Sequence, residues 1–168
     1  MTNFDIDNIR PVISHTLQTL GIYSRAAENL LLITVALQAE HLNSSQNSGL
    51  GVYKIDRTTH INIWDKYLVF DPDLAGTVRG LASEKSFLQD PHLELVTNQG
   101  YATAIAWLIY QSSELTLPQA EDAQSLTSCW AKHFSKQANS AICKDALINS
   151  CSKIIKGDSL VEPQLLAS

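Results

Sequence analysis

The chain has 168 residues, 45% hydrophobic and 17% charged, a balance that suits a folded globular domain and excludes a disordered one. Its formal charge of -5, with a pI near 5.4, argues against a nucleic-acid binder, which needs clustered Lys and Arg to replace phosphate counterions. The richest apolar run, Leu30 to Leu37, is far short of the ~20 residues that cross a bilayer, so no membrane insertion is expected.

In chain order, nearly every segment reads as helix. The opening "MTNFDIDNIR" has neither a basic start nor an apolar run, so no signal peptide is expected. Asp7 is placed to cap a first helix, with Ile9, Val12, Ile13, Leu17 and Leu20 as its apolar stripe. Pro11 is expected in the first turn, where a missing N–H costs little, and Gly21 ends the helix. Ser24 then offers a cap for "RAAENLLLITVALQAEHL", which is apolar on most sides from Leu30 to Leu37 and so predicts a central, buried helix.

The loop "NSSQNSGLG" has turn chemistry throughout. After "VYKID", Thr58 or Thr59 is expected to cap a helix through Ile63, Trp64, Tyr67 and Leu68. Asp71-Pro72 and Asp90-Pro91 each put a capping carboxylate before a proline, and the second opens a stretch to about Gln111. Pro118 precedes a helix around Leu126 and Trp130. A last helix runs from about Ser140 to Ile155 and stops at Gly157. The reading is an all-α domain of about seven helices over residues 1–157, followed by a loose tail over 158–168.

Several chemistries are discounted. His15, His41, His60, His92 and His133 are dispersed, with no metal-ligand spacing, so no metal is expected. No phosphate-binding glycine loop or nucleophile elbow occurs, and no cofactor is expected. Cys129, Cys143 and Cys151 form no C-x-x-C pair and read as reduced packing residues. The N-x-S sequon at Asn43 carries no weight without a secretory signal. Trp64, Trp107 and Trp130 fall on apolar faces and read as core.

Glu40 is the residue with chemistry. It follows Leu37 by three positions, so it shares the face that carries Ile33 and Leu37, where the buried helix emerges. A carboxyl desolvated there keeps its proton to higher pH, as a general acid of glycoside cleavage requires. From position alone, a glutamate in a last helical turn is more often a solvated surface residue.

The order of segments resembles the phage-encoded, lysozyme-like murein transglycosylase superfamily. Those proteins carry a helix ending in Glu-Ser, a polar loop, a Gly-x-x-Gln-like segment and a Thr-capped helix. The matching stretches are "QAEHL" at 38–42, "GLGVYKID" at 49–56 and "RTTHINIWDKYL" at 57–68. They continue in "NQGYATAIAWLIYQ" at 98–111 and "LPQAEDAQSLTSCWAKHF" at 117–134, so that the resemblance spans Tyr23 to Phe134.

The resemblance implies a lysozyme-like helical fold acting on bacterial peptidoglycan glycan strands. Glu40 would be the sole acid/base, protonating the leaving oxygen and then taking the proton of the muramyl 6-hydroxyl. Tyr53, Lys54, His41 and Asp56 would line the substrate groove, and Asp56 or Asp65 could serve as a second carboxylate. Two positions depart from the pattern: His41 stands where the family has Ser, and Lys54 where it has Gln. An ammonium beside Glu40 would favour its carboxylate and oppose the acid role.

Two functions follow as expectations. The first is a virion-associated lytic transglycosylase, made in the host cytoplasm and carried to the cell wall by the particle. The second is a structural tail or baseplate component that retains the fold, contacts other virion proteins and has lost the chemistry. An unrelated helical adaptor is the third reading.

Overall fold

The computed structural model describes residues 6–40, 49–134 and 145–157. Among these, nine α-helices occur: α1 (Ile6–Thr19), α2 (Arg25–Glu40), α3 (Arg57–Lys66), α4 (Pro72–Leu81), α5 (Glu84–Gln89), α6 (Glu94–Thr97), α7 (Gln99–Gln111), α8 (Ala123–His133) and α9 (Asp145–Lys156). Single 3-10 turns at Leu68–Phe70 and Pro91–Leu93 join neighbouring helices. No strand forms among the described residues; the one extended pairing is an isolated antiparallel bridge between Leu50 and Ile55. The all-α expectation is met, with more and shorter helices than the seven expected.

Two helices form the centre. On α2, Ala27 and Leu30 to Ile33 are fully buried, with Val35 and Leu37 nearly so; on α7, every residue from Tyr101 to Leu108 is buried. With no polar face on these stretches, both helices must be covered on all sides. The covering is done by α1 against α2 and α7, by α8 and α9 against α2, and by α3 and α4 against α7. The stripe Ile9, Ile13, Leu17 faces inward from α1, as its spacing predicts.

Polar groups inside this core are paired in a repeated way. Thr34 Oγ1 donates to the Leu30 carbonyl and lies 2.7 Å from the Tyr110 hydroxyl, which therefore donates to it. Thr103 Oγ1 likewise donates to the Gln99 carbonyl and lies 2.9 Å from the Tyr53 hydroxyl. Each threonine thus turns a helix carbonyl into a seat for a buried phenol. Removing one phenol oxygen, as in Tyr110→Phe, leaves the Thr34 back-bond intact. We expect a loss of about 1 kcal/mol, read as a lower denaturant midpoint at unchanged slope.

The helix ends show which local signals prevailed. Ser24 Oγ accepts from Ala27 N at 3.1 Å and starts α2 as expected. Gly21 at φ +72° closes α1, and Gly157 at φ +66° follows α9. Asp71 caps α4 ahead of Pro72. Other boundaries differ. Asp7 lies in the first turn of α1 rather than at its cap, which puts Pro11 in the second turn, where it removes one intrahelical hydrogen bond.

The cap of α3 is Asp56, one helical turn before Thr59, because its carboxylate takes both the Thr59 amide (2.7 Å) and the Thr59 hydroxyl (2.8 Å). The stretch from Pro91 to Gln111 is cut at Asn98, whose side chain accepts from Tyr101 N and restarts the chain as α7. Pro118 precedes α8, as expected, and Asp122 is its cap. The last helix is described from Asp145, and the expected start near Ser140 lies outside the described residues, as does the 158–168 tail.

One buried ion pair ties three helices together. Glu28, on α2, is 2% exposed. It accepts from Arg10 Nη1 of α1 at 2.7 Å and from the Tyr23 hydroxyl at 2.8 Å. Arg10 Nη2 also donates to the Ile154 carbonyl of α9 at 3.0 Å. Cys129 of α8 and Cys151 of α9 are both buried. Burial pushes the Cys129 thiol up to about 11.

Candidate functional site

The buried helix α2 is described as far as Glu40, and the rest of its expected span, to Leu42, lies outside the described residues. The Glu40 side chain and all of His41 lie outside the described residues, so the expected burial and orientation of that carboxylate do too. What is described is the segment that follows, from Gly49. Leu50 and Ile55 exchange both backbone hydrogen bonds, at 2.8 and 3.1 Å, and Lys54 N donates to the Gly51 carbonyl at 3.2 Å. Residues 50–55 are therefore a tight hairpin.

Glycine is required twice in this hairpin. A Cβ on Gly49 would lie 2.2 Å from the Lys54 carbonyl oxygen. On Gly51, at φ +71°, it would lie 1.9 Å from the Leu95 carbonyl oxygen. The first lets the hairpin close on itself and the second lets it sit against α6. The Gly-Leu-Gly triplet was the available signal for both contacts. Lys54 takes the left-handed conformation without being glycine, at φ 51°.

The hairpin is fastened to the helix that carries Glu40. Gln38, 7% exposed and two residues before Glu40, donates its Nε2–H to the Tyr53 carbonyl at 2.8 Å. The Tyr53 ring passes into the core, 0% exposed, and its hydroxyl reaches α7 at Thr103. Burial holds that phenol well above its ordinary range. This corrects the expectation that Tyr53 lines the substrate groove: its ring fills the core instead and presents no face to a ligand.

Asp56 likewise has a local task, since both its oxygens hold Thr59 at the start of α3. It is half-buried, and Asp65, at the far end of α3, is exposed. The side chain of Lys54 is half-buried. Of the residues singled out in the sequence, Tyr53, Lys54 and Asp56 therefore share one hairpin and its exit, clamped to the helix that carries Glu40.

A second polar cluster escaped the sequence reading. Trp64 Nε1 donates to the Tyr101 oxygen at 2.9 Å, and that hydroxyl lies 2.6 Å from His60 Nε2. His60 Nδ1 then lies 2.9 Å from His92 Nδ1. His60 is 1% exposed, and burial, with His92 beside it, pushes its pKa down to about 4 from 6.5, against a smaller opposing pull from Asp90.

The folded pKa is the lower one, so an unfolded chain takes up this proton first. The contribution of His60 to stability is full above pH 6.5, declines as the pH falls toward 4, and levels off below that. We expect about 2–3 kcal/mol to be lost across this window, measured as denaturant midpoints at a series of pH values.

Two surface hollows lie elsewhere. One of about 460 Å³ is lined by Gly76, Arg79, Gly80 and Leu88, and one of about 180 Å³ by Asn29, Glu121, Ser152 and Lys156 among others. Neither is lined by residues of the 50–55 hairpin. No group of three or more metal-ligating side chains occurs among the described residues. No helix among them is long and apolar enough to cross a membrane.

The class that the fold defines is an all-α protein with two central buried helices. Comparison with protein-family models, curated proteins and solved structures yields no match.

Proposed function

We propose that the chain is a phage virion-associated lytic transglycosylase that cleaves peptidoglycan glycan strands, with Glu40 as its single acid/base. The ordered resemblance from Tyr23 to Phe134 names the class. The observation that carries the assignment to Glu40 is its place on α2. The core helix α2 carries Glu40 as its last described residue, and a Gly-Leu-Gly hairpin is clamped to the same helix through Gln38 and Tyr53. One carboxyl is sufficient for this reaction. The substrate's own 6-hydroxyl replaces the water that an inverting or retaining hydrolase would activate with a second one.

The test is cleavage of purified peptidoglycan by wild type and Glu40→Gln. The amide is nearly isosteric but cannot give up and recover a proton, so turnover should fall about 10²–10⁴-fold in a folded variant. Undiminished release of glycan fragments removes Glu40 from the mechanism.

The second reading is a structural virion component. It is favoured by Lys54 and His41, which depart from the family pattern, and by Tyr53, which the core claims. The pH–rate profile of Lys54→Gln separates the two. If the ammonium faces Glu40, its removal shifts the optimum upward, by as much as about 1–3 pH units for a close pair. No cleavage by either folded protein supports the structural reading.

A further inference from the structure

We propose that His60 and His92 form a pH-operated latch, which holds α3 against the 90–93 turn while at most one ring is charged and opens when both are. This inference is independent of the proposed function. It rests on the direction of a hydrogen-bond chain. An indole N–H can only donate, so Trp64 occupies one lone pair of the Tyr101 oxygen, and the Tyr101 proton points to His60 Nε2. Neutral His60 then carries its hydrogen on Nδ1 and donates it to His92 Nδ1, whose own hydrogen sits on Nε2.

One added proton is absorbed without loss of the contact. Whichever ring takes it, one Nδ1 still offers a lone pair to the other's Nδ1–H. His60 then carries a hydrogen on Nε2 and donates it to the Tyr101 oxygen, whose own proton turns away from the chain. A second proton has no such solution. Both Nδ1 atoms then carry hydrogen at a spacing of 2.9 Å, and two cationic rings face each other with centroids 5.0 Å apart.

The surrounding charges set the same limit. From α3, Asp56 caps the helix, and Arg57 lies 3.9 Å from Asp90. From the 90–93 turn, Asp90 faces His60 and accepts from His92 N. From α4 and α6, Arg79 and Glu94 face Tyr101, and Glu94 is held by Ser83 and Asn98. Asp90 is the carboxylate that acts on His60, and its pull is smaller than the repulsion from a charged His92. Burial of His60 adds to the resistance against the second.

The experiment is side-chain ¹⁵N NMR of the intact protein from pH 8 to 4, with amide exchange followed at each pH. At pH 8 we expect His60 protonated on Nδ1, His92 on Nε2 and a shared proton between them. On acidification the shared proton should first persist and then vanish as the second charge arrives. At that point the amides of residues 60–66 should exchange about tenfold faster or more, while those of α2 and α7 do not follow.

In His92→Gln, which cannot charge, the acceleration should move to lower pH or disappear. Independent titration of the two rings with no change in α3 exchange overturns the latch. So does an identical pH profile in wild type and His92→Gln. Should that variant not fold, the wild-type tautomers and exchange decide alone.

Discussion

Gly51→Ala should lower stability by about 2–5 kcal/mol, the sum of a left-handed backbone strain and an overpacked contact. A methyl group at this position would sit 1.9 Å from the Leu95 carbonyl oxygen, well inside any distance that real Cβ atoms keep. The neighbour is backbone and cannot rotate aside, so the hairpin must leave its seat on α6. Gly21→Ala is the matched control: its φ of +72° is almost the same, but nothing lies within 4 Å of the added carbon. Thermal unfolding of the two variants separates strain from collision. Equal losses would mean that the hairpin is free to shift and that its contact with Leu95 is not a constraint.

The second large effect is expected at Glu28. Truncation to Ala removes the carboxylate that Arg10 Nη1 contacts, leaves the guanidinium its Ile154 contact, and deprives the Tyr23 hydroxyl of its acceptor. Removing one partner of a buried pair costs about 3–5 kcal/mol. The Arg10 side chain is 23% exposed and can recover some water, which favours the lower end of that range. A loss of about 3 kcal/mol corresponds to roughly 6–12 °C in Tm for a chain of this size. Glu28→Gln keeps one acceptor oxygen for Arg10 and offers an amide N–H to the Tyr23 oxygen in the same volume, so it should lose less. A Glu28→Ala variant that melts with the wild type would show that Arg10 and α9 are held by packing alone.

What was legible in the sequence follows the range of the forces involved. The apolar run of α2 and the stripe of α1 were readable because burial acts residue by residue along one helix. The Ser24 cap and the Asp71-Pro72 start were readable because both partners lie within one turn. Where two local signals compete, pattern reading errs. Thr58 and Thr59 are good caps in isolation, but Asp56 holds the Thr59 amide and hydroxyl together. Asn98 interrupts the 90–111 stretch because its amide is held by the Leu81 carbonyl and Glu94, neither adjacent in sequence.

The site was legible in the same measure. A buried helix leading to Glu40 and a glycine turn at 49–51 could be read from spacing. The fate of Tyr53 could not, because it depends on Thr103 across the core. The Arg10–Glu28 pair and the His60–His92–Tyr101 chain join residues 18 to 41 positions apart, and no periodicity links them.

The two buried thiols have a practical consequence. With the Cys129 pKa near 11, only about one molecule in 10⁴ holds a thiolate there at pH 7 while the fold is closed. An alkylating reagent must therefore wait for the packing around these thiols to open. In a Cys143→Ser background, the alkylation rate of Cys129 and Cys151 becomes a stopwatch for that opening. It counts openings that leave the bulk helix signal unchanged. Because Arg10 spans to α9 through the Ile154 carbonyl, the Arg10→Met variant should make that stopwatch run faster at Cys151.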